Sequence, residues 1–340
     1  KPSFIGMASQ SGSFITQMFS YLNQRFGKSF STGFSLGNEA DIDLVDCIEY
    51  LGACPNTRVI ALYIESIRRG QRFIEIARNV SKHKPIIAFY VGGSETGKRA
   101  CLSHTGSLAG PDRLYDGVFR QSGIIRAQSI EEMFDFCYAL GSSPLPKGNR
   151  VIIQTHSGGP GAAAADACGR SGLELPALSP ETLEKIAPYV PHTASVNNPV
   201  DLTFTKNPLD FFHRIPEILL EEKASDGMLI YFLASERMVR QALTGMGVPE
   251  DAVLDQAAQI VGAQCQSVAS LMETFKKPIL GFSFMTRDNH FVAGLQDRGI
   301  PVLPSPERAA RAFGAMVRYT KLREKILQSE KESAGHFSAE

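Results

Sequence analysis

Short β-rich runs alternate with amphipathic helical stretches along almost the whole chain, and the alternation starts afresh after one connector. From the amino terminus the strand-like runs are Phe4–Ala8, Thr32–Leu36, Val59–Ile64, Pro85–Val91 and Gly123–Ala127. Between them lie stretches with helical spacing, such as Ile42–Tyr50 and Gln71–His83; in the second, Phe73, Ile76, Ala77 and Val80 recur three to four residues apart. A continuously apolar run such as Val59-Ile60-Ala61-Leu62-Tyr63-Ile64 suits a strand buried on both faces, and therefore a parallel sheet with helices on each side. Ser142-Ser143-Pro144-Leu145-Pro146-Lys147-Gly148-Asn149 then breaks the pattern. Beyond it, Arg150–Gln154, Leu173–Ala177, Met228–Leu233, Pro278–Phe284 and Ile300–Leu303 form a second set of strands. Pro306–Leu327 is expected to be a long closing helix, with Ser305 as N-cap and Pro306 at its first position. The expected fold class is α/β: two tandem doubly wound domains, each a five-stranded parallel sheet, over residues 1–143 and 148–327. Residues 328–340 are polar and are expected to be a tail or a truncated linker.

A length of 340 residues agrees with two domains. Thirty-five basic residues balance thirty-five acidic ones, which leaves no electrostatic footprint for nucleic acid or an anionic membrane. The longest apolar runs, such as Met228–Ala234, have strand length and fall far below the ~20 residues of a membrane helix. Nothing at the amino terminus resembles a signal peptide; since the first residue is Lys1, the chain is expected to be processed or part of a longer one. Six cysteines without a C-x-x-C pair point to reduced thiols and a cytoplasmic setting. There is no H-E-x-x-H or related motif, so no protein-ligated metal is expected.

Both halves begin with a strand, a small-residue turn and a helix. The first turn is Ser9-Gln10-Ser11-Gly12-Ser13; the second is Thr155-His156-Ser157-Gly158-Gly159-Pro160-Gly161. Such turns present free N–H groups at the positive end of a helix dipole and bind anions, although small residues also simply allow a helix to pack closely on a strand. Neither turn is a Walker motif, and Gly159-x-Gly161-x-x-Ala164 is an imperfect dinucleotide fingerprint. In the strand order 2-1-3-4-5 the loops after strands one, three and four are neighbours. They carry Ser11–Ser13, Glu65, and the segment Ser103-His104-Thr105-Gly106-Ser107. A histidine with one ring nitrogen held by a carboxylate offers the other as a nucleophile, and beside an anion site it forms a phosphohistidine. Ser11 or Ser103 as a nucleophile with His104 as base is the hydrolase alternative, but neither serine sits in a G-x-S-x-G elbow. Cys101 with His104 would be a further dyad. His83 suits a helix end and His156 a turn, while His192, His213, His290 and His336 have no paired context.

Ser103-His104-Thr105-Gly106-Ser107-Leu108-Ala109-Gly110, Gln10-Ser11-Gly12, Leu36-Gly37-Asn38-Glu39-Ala40-Asp41 and Asn198-Pro199-Val200-Asp201-Leu202 together resemble the NDP-forming acyl-CoA synthetases of the succinyl-CoA synthetase superfamily. The resemblance covers roughly residues 3–325 and implies two flavodoxin-like ligase domains. It also implies that His104 is phosphorylated, that Glu65 supports it, and that helices beginning at Ser11, Gly12, Ser13 and at Gly158, Gly159, Gly161 hold the phosphoryl group. Coenzyme A, phosphate and ADP/ATP or GDP/GTP would be substrates, with Mg on a partner domain. The CoA-binding Rossmann-like domain and the ATP-grasp domain of that family have no counterpart here, so both are expected as partners. Assembly into a homo-oligomer is compatible with this reading. A non-catalytic CoA- or phosphate-binding or regulatory module is the alternative of another class, and a nicotinamide- or flavin-binding protein a third.

Overall fold

The structure, a computed structural model, describes residues 3–99, 110–203 and 207–337. Its chain divides into two compact units, one of residues 1–24, 28–141 and 315–340, the other of residues 25–27 and 142–314.

In the first unit β1 (Ile5–Ser9), β2 (Phe30–Ser35), β3 (Val59–Ile64), β4 (Ile86–Tyr90) and β5 (Ile125–Ala127) form a parallel sheet in the order β2-β1-β3-β4-β5. β1 is buried at every position and β3 at all but Tyr63, as a sheet with two covered faces requires. On one face Ala8, Ile60, Leu62, Ile64, Ile86 and Ala88 meet helices Leu44–Ala53, Gly70–Ser81 and Asp112–Ser122 through Leu44, Ile48, Phe73 and Phe119. Gly6 allows the close approach of Leu44–Ala53, because a Cβ there would lie 2.6 Å from Leu51 Cδ2. Opposite, helices Phe14–Phe26 and Ile130–Ser142 are tied by aromatic contacts such as Tyr21–Phe134.

The second unit has β6 (Val151–Thr155), β7 (Val200–Asp201), β8 (Gly227–Tyr231), β9 (Ile279–Phe282) and β10 (Val302–Leu303), ordered β10-β9-β8-β6-β7 and again parallel. Read from its own first strand, that order is also 2-1-3-4-5. Helices Pro180–Ile186, Arg214–Glu221, Glu250–Phe275 and His290–Asp297 bury their apolar faces against Ile152, Met228, Ile230 and Ile279.

The structure corrects two expectations. Leu173–Ala177 is not the second strand of this sheet; it contributes one bridge, Glu174 to Arg150, and the strand beside β6 is Val200–Asp201. Pro176 lacks the N–H a ladder needs, and Asn198 replaces the missing backbone. Its side-chain Nδ2 donates to Val151 O (2.8 Å) and Pro176 O (3.1 Å), and its Oδ1 accepts from Ile153 N (3.0 Å). The closing helix begins as expected, with Ser305 Oγ accepting from Arg308 N, but runs through Phe337. From Ala315 it groups with the first unit, where the Tyr319 hydroxyl donates to Ser81 O and Arg323 Nε to Lys82 O. So 315–327 does not belong to the second compact unit, and 328–337 is helix rather than tail.

No described helix is long and apolar enough to cross a membrane. The five described cysteines are free; Cys101 lies outside the described residues.

Candidate active site

The candidate site in the first unit is built at the carboxyl ends of β1 and β3. Ser9 ends β1; its hydroxyl accepts from Ser11 N (3.2 Å) and donates to Ser11 O (2.8 Å), which turns the chain into helix Phe14–Phe26. Ser11-Gly12-Ser13 is therefore the turn that leads into this helix, with Gly12 and Ser13 exposed, and Ser35 Oγ donates to Gly12 O. Gln10, only 4% exposed, points to the neighbouring strand. Its Oε1 accepts from Glu65 N (2.6 Å) and Ser66 N (3.0 Å), and its Nε2 donates to Ser66 O (2.9 Å). Glu65 is thus fixed by its backbone beside the Ser11 turn, half-buried, and its carboxylate has no hydrogen bond or ion pair among the described residues.

His104 lies outside the described residues, as do Cys101 and Ser103. The described ends of that segment lie at β4: Val91 N donates to Ile64 O, and the Tyr90 hydroxyl donates to Gly110 O at 2.9 Å.

Behind Gln10 sits a buried carboxyl, Glu39. Burial is the largest influence on it and raises its pKa, while hydrogen bonds from Gln10 and Leu44 N pull the other way. Arg68 anchors this loop by donating to Glu39 O and Asn38 O, with Nε 3.7 Å from Glu39 Oε2. Gln10, Glu39 and Arg68 were not among the expected site residues. Gln10 and Glu39 stand within stretches that carry the family resemblance, but a side-chain contact between two strand ends leaves no local pattern that would single them out, and Arg68 has no signal in the sequence.

The second unit repeats the turn. Thr155 Oγ1 accepts from Ser157 N (3.0 Å) and donates to Ser157 O (2.8 Å), and helix Gly158–Arg170 follows. Here a Cβ on Gly161 would come 2.9 Å from Thr155 Cγ2, whereas one on Gly159 would meet nothing; Gly161 serves packing and Gly159 leaves the helix end open. A Cβ on Gly158 would lie 3.3 Å from Asp201 Oδ2, so a carboxylate already shares this helix end. His156 stacks on Phe211 with ring centres 3.5 Å apart, and burial pushes its pKa down to about 4, so it is neutral at pH 7. Two other histidines do have partners, contrary to expectation: His213 Nδ1 meets Ser267 Oγ, and His290 Nδ1 meets Glu236 Oε2.

Comparison with known proteins agrees with this construction. Residues 2–140 match the succinyl-CoA ligase like flavodoxin domain, and residues 151–234 match the Ligase-CoA domain. The acetate–CoA ligase [ADP-forming] I subunit alpha of Pyrococcus furiosus is 36% identical over 329 residues, 95% of this chain and 66% of that subunit. The II subunit alpha of the same organism is 37% identical over 303 residues, 86% of this chain and 60% of its own length. A solved structure from Ca. Korarchaeum cryptofilum, a dinucleotide forming acetyl-coenzyme A synthetase 1 in complex with phosphate and ADP, superposes with a TM-score of 0.79. It is 30% identical, and the match covers 96% of this chain and 67% of that one.

The chain belongs to the NDP-forming acyl-CoA synthetase family. It spans about two thirds or less of the relatives it matches. What the family member shown here contains is the pair of flavodoxin-like ligase units, each with its helix-entry turn. Among the described residues no group of three or more His, Cys, Asp or Glu could hold a metal ion.

Proposed function

We infer that the chain is the histidine-bearing core of an acyl-CoA synthetase that interconverts acyl-CoA, phosphate and ADP or GDP with the acid, coenzyme A and ATP or GTP. In the acyl-CoA-consuming direction a phosphate oxygen attacks the thioester carbonyl, the C–S bond breaks, and coenzyme A leaves as the thiol after protonation. The acyl phosphate then gives its phosphoryl group to His104: a ring nitrogen lone pair attacks phosphorus and the P–O bond electrons leave with the carboxylate. A terminal phosphate oxygen of the nucleoside diphosphate finally takes the group from nitrogen. Glu65 accepts the other ring N–H of His104, fixes its tautomer and offsets the positive charge that develops on attack. The N–H groups of Gly12 and Ser13 and of Gly158 and Gly159 hold phosphoryl oxygens, while those of Ser11 and Gly161 are taken by Ser9 Oγ and Ser157 O and shape the two turns. A CoA-binding domain, an ATP-grasp domain carrying Mg with the nucleotide, and a cytoplasmic setting belong to the same reading.

The observation that carries it is the Gln10 clamp. It presents a carboxylate without a partner among the described residues beside the Gly12–Ser13 helix entry, at the carboxyl end of β3 next to that of β4. With partner domains restored and nucleoside triphosphate labelled at its terminal phosphate, the chain should acquire an acid-labile label and His104→Asn should not. Persistence of that label on the variant sinks the assignment. Glu65→Gln should slow phosphoryl transfer about 10²-fold, the scale for a group acting on a catalytic histidine; an unchanged rate removes Glu65 from the mechanism.

A further inference from the structure

The second unit carries its own carboxylate and histidine in the same topological places as Glu65 and His104. Glu236 follows the third strand of its sheet, β8, and His290 follows the fourth, β9, while the first strand runs into the turn at Ser157–Gly161. Here the pair is formed, since His290 Nδ1 contacts Glu236 Oε2. An ionised carboxylate only accepts, so this contact selects the tautomer of the neutral ring with the proton on Nδ1 and the lone pair on Nε2. The His290 side chain is 74% exposed and that of Glu236 15%, so the acid is packed while the ring is reachable.

Two further features lie beside the pair, a helix amino terminus at the histidine and a guanidinium at the carboxylate. His290 is the first residue of helix His290–Asp297, whose cap Asn289 accepts from Phe291 N and Val292 N. Arg240 lies one helical turn beyond Glu236, with its Nε 3.5 Å from Glu236 Oε1 and without a hydrogen-bond partner among the described residues. A surface bridge between two helices would account for the contact alone. It would not account for a carboxylate-held ring, a helix amino terminus and an under-used guanidinium on the sheet edge that carries the Ser157–Gly161 turn.

We propose that His290 is a second phosphoryl acceptor, positioned by Glu236, that takes the group from an acyl phosphate. The choice of donor rests on the acyl phosphate of the proposed function. His290 Nε2 attacks phosphorus, the P–O bond to the acyl group breaks, and its electrons leave with the carboxylate; the proton on Nδ1 stays shared with Glu236. The product is a phosphohistidine at the first position of helix His290–Asp297, held by the carboxylate whose other oxygen lies near Arg240.

The test uses the whole chain and acetyl phosphate labelled at phosphorus, with wild type, His104→Asn, His290→Asn, the double variant, and Glu236→Gln in the His104→Asn background. Melting curves establish that all are folded, which the exposure of His290 makes straightforward. The expected result is an acid-labile, alkali-stable label on His104→Asn that peptide mapping places on His290. It should fall at least about 10-fold in the double variant and about 10-fold or more in rate with Glu236→Gln. A blank His104→Asn variant, or label mapping elsewhere, overturns the proposal whatever wild type does. The His290→Asn variant reads His104 separately: no label there, with label retained on His104→Asn, defeats the proposed function and supports this site.

Discussion

Gln10 does two jobs with one buried amide. Its oxygen fills the N–H groups of Glu65 and Ser66, and its nitrogen donates to Ser66 O and supports the Glu39 carboxyl. Replacing it with Leu leaves two N–H groups without acceptors and releases the Glu65 turn, at roughly 1–3 kcal/mol for each buried group left unpaired. With partner domains restored, the proposed action of Glu65 on the histidine predicts that Gln10→Leu lowers kcat about 10–100-fold with KM little changed. Gln10→Glu keeps the acceptor and should recover part of the rate at low pH, where the new carboxyl beside Glu39 is protonated. Equal kcat in wild type and Gln10→Leu would show that the turn holds without the clamp. At this scale the sequence is half legible. Glu65 shows itself as an acid ending an apolar strand. The clamp does not, because a side chain reaching from one strand to the next leaves no mark on local spacing. The pair of Glu236 and His290 is hidden for the same reason, its members standing 54 positions apart in the chain.

Among the elements, β7 is too short to hold its place by its own ladder, being two residues paired with Gln154 and Thr155. Asn198 extends it, since its amide bonds to Val151 O and Ile153 N as a strand residue would, and ties in Pro176 O. Asn198→Ala leaves those β6 groups unpaired and should cost about 2–4 kcal/mol. Asn198→Asp should cost at least as much, because the carboxylate can accept from Ile153 N but faces two carbonyl oxygens it cannot bond. Urea unfolding of both variants measures this, and a loss under about 0.5 kcal/mol would mean that water replaces the amide. The same device explains why the sheet was legible except at one edge. β1, β3, β4, β6, β8 and β9 bury their whole length or nearly so, and their apolar runs show it. The edge beside β6 is a composite of one bridge, one side chain and two residues, and none of these has a period.

For the molecule as a whole, the acid-sensitive groups are unevenly shared. His156 and Glu222 both lie in the unit of residues 142–314. His156 is pushed down to about 4 by burial against Phe211. Burial works to raise Glu222, but hydrogen bonds from Ser179 N, Ala224 N and the Thr182 hydroxyl outweigh it and bring the carboxyl to about 2. In both cases the unfolded chain binds the proton more readily, so stability is complete above the ordinary pKa and drains away on acidification. The His156 share is lost between about 6.5 and 4, the Glu222 share between about 4.5 and 2. At about 1.4 kcal/mol per pKa unit each share is on the order of 3–4 kcal/mol at most. In the other unit Glu39 has a raised pKa, so its ionisation costs stability and acidification relieves that cost, while Asp43, held down by the Arg69 guanidinium, gives up its share only from the ordinary carboxylate range downward. The two units should therefore part company as pH falls. Hydrogen exchange read by mass spectrometry should show peptides of β6 and β8 losing protection at a higher pH than peptides of β1 and β3. His156→Phe, which keeps a ring on Phe211 without a proton to bind, should flatten the loss between 6.5 and 4. Glu222→Gln should start less stable at pH 7 and flatten the loss below 4.5. Simultaneous loss in both units, or a His156→Phe profile parallel to wild type, would mean that these two groups do not govern the acid response.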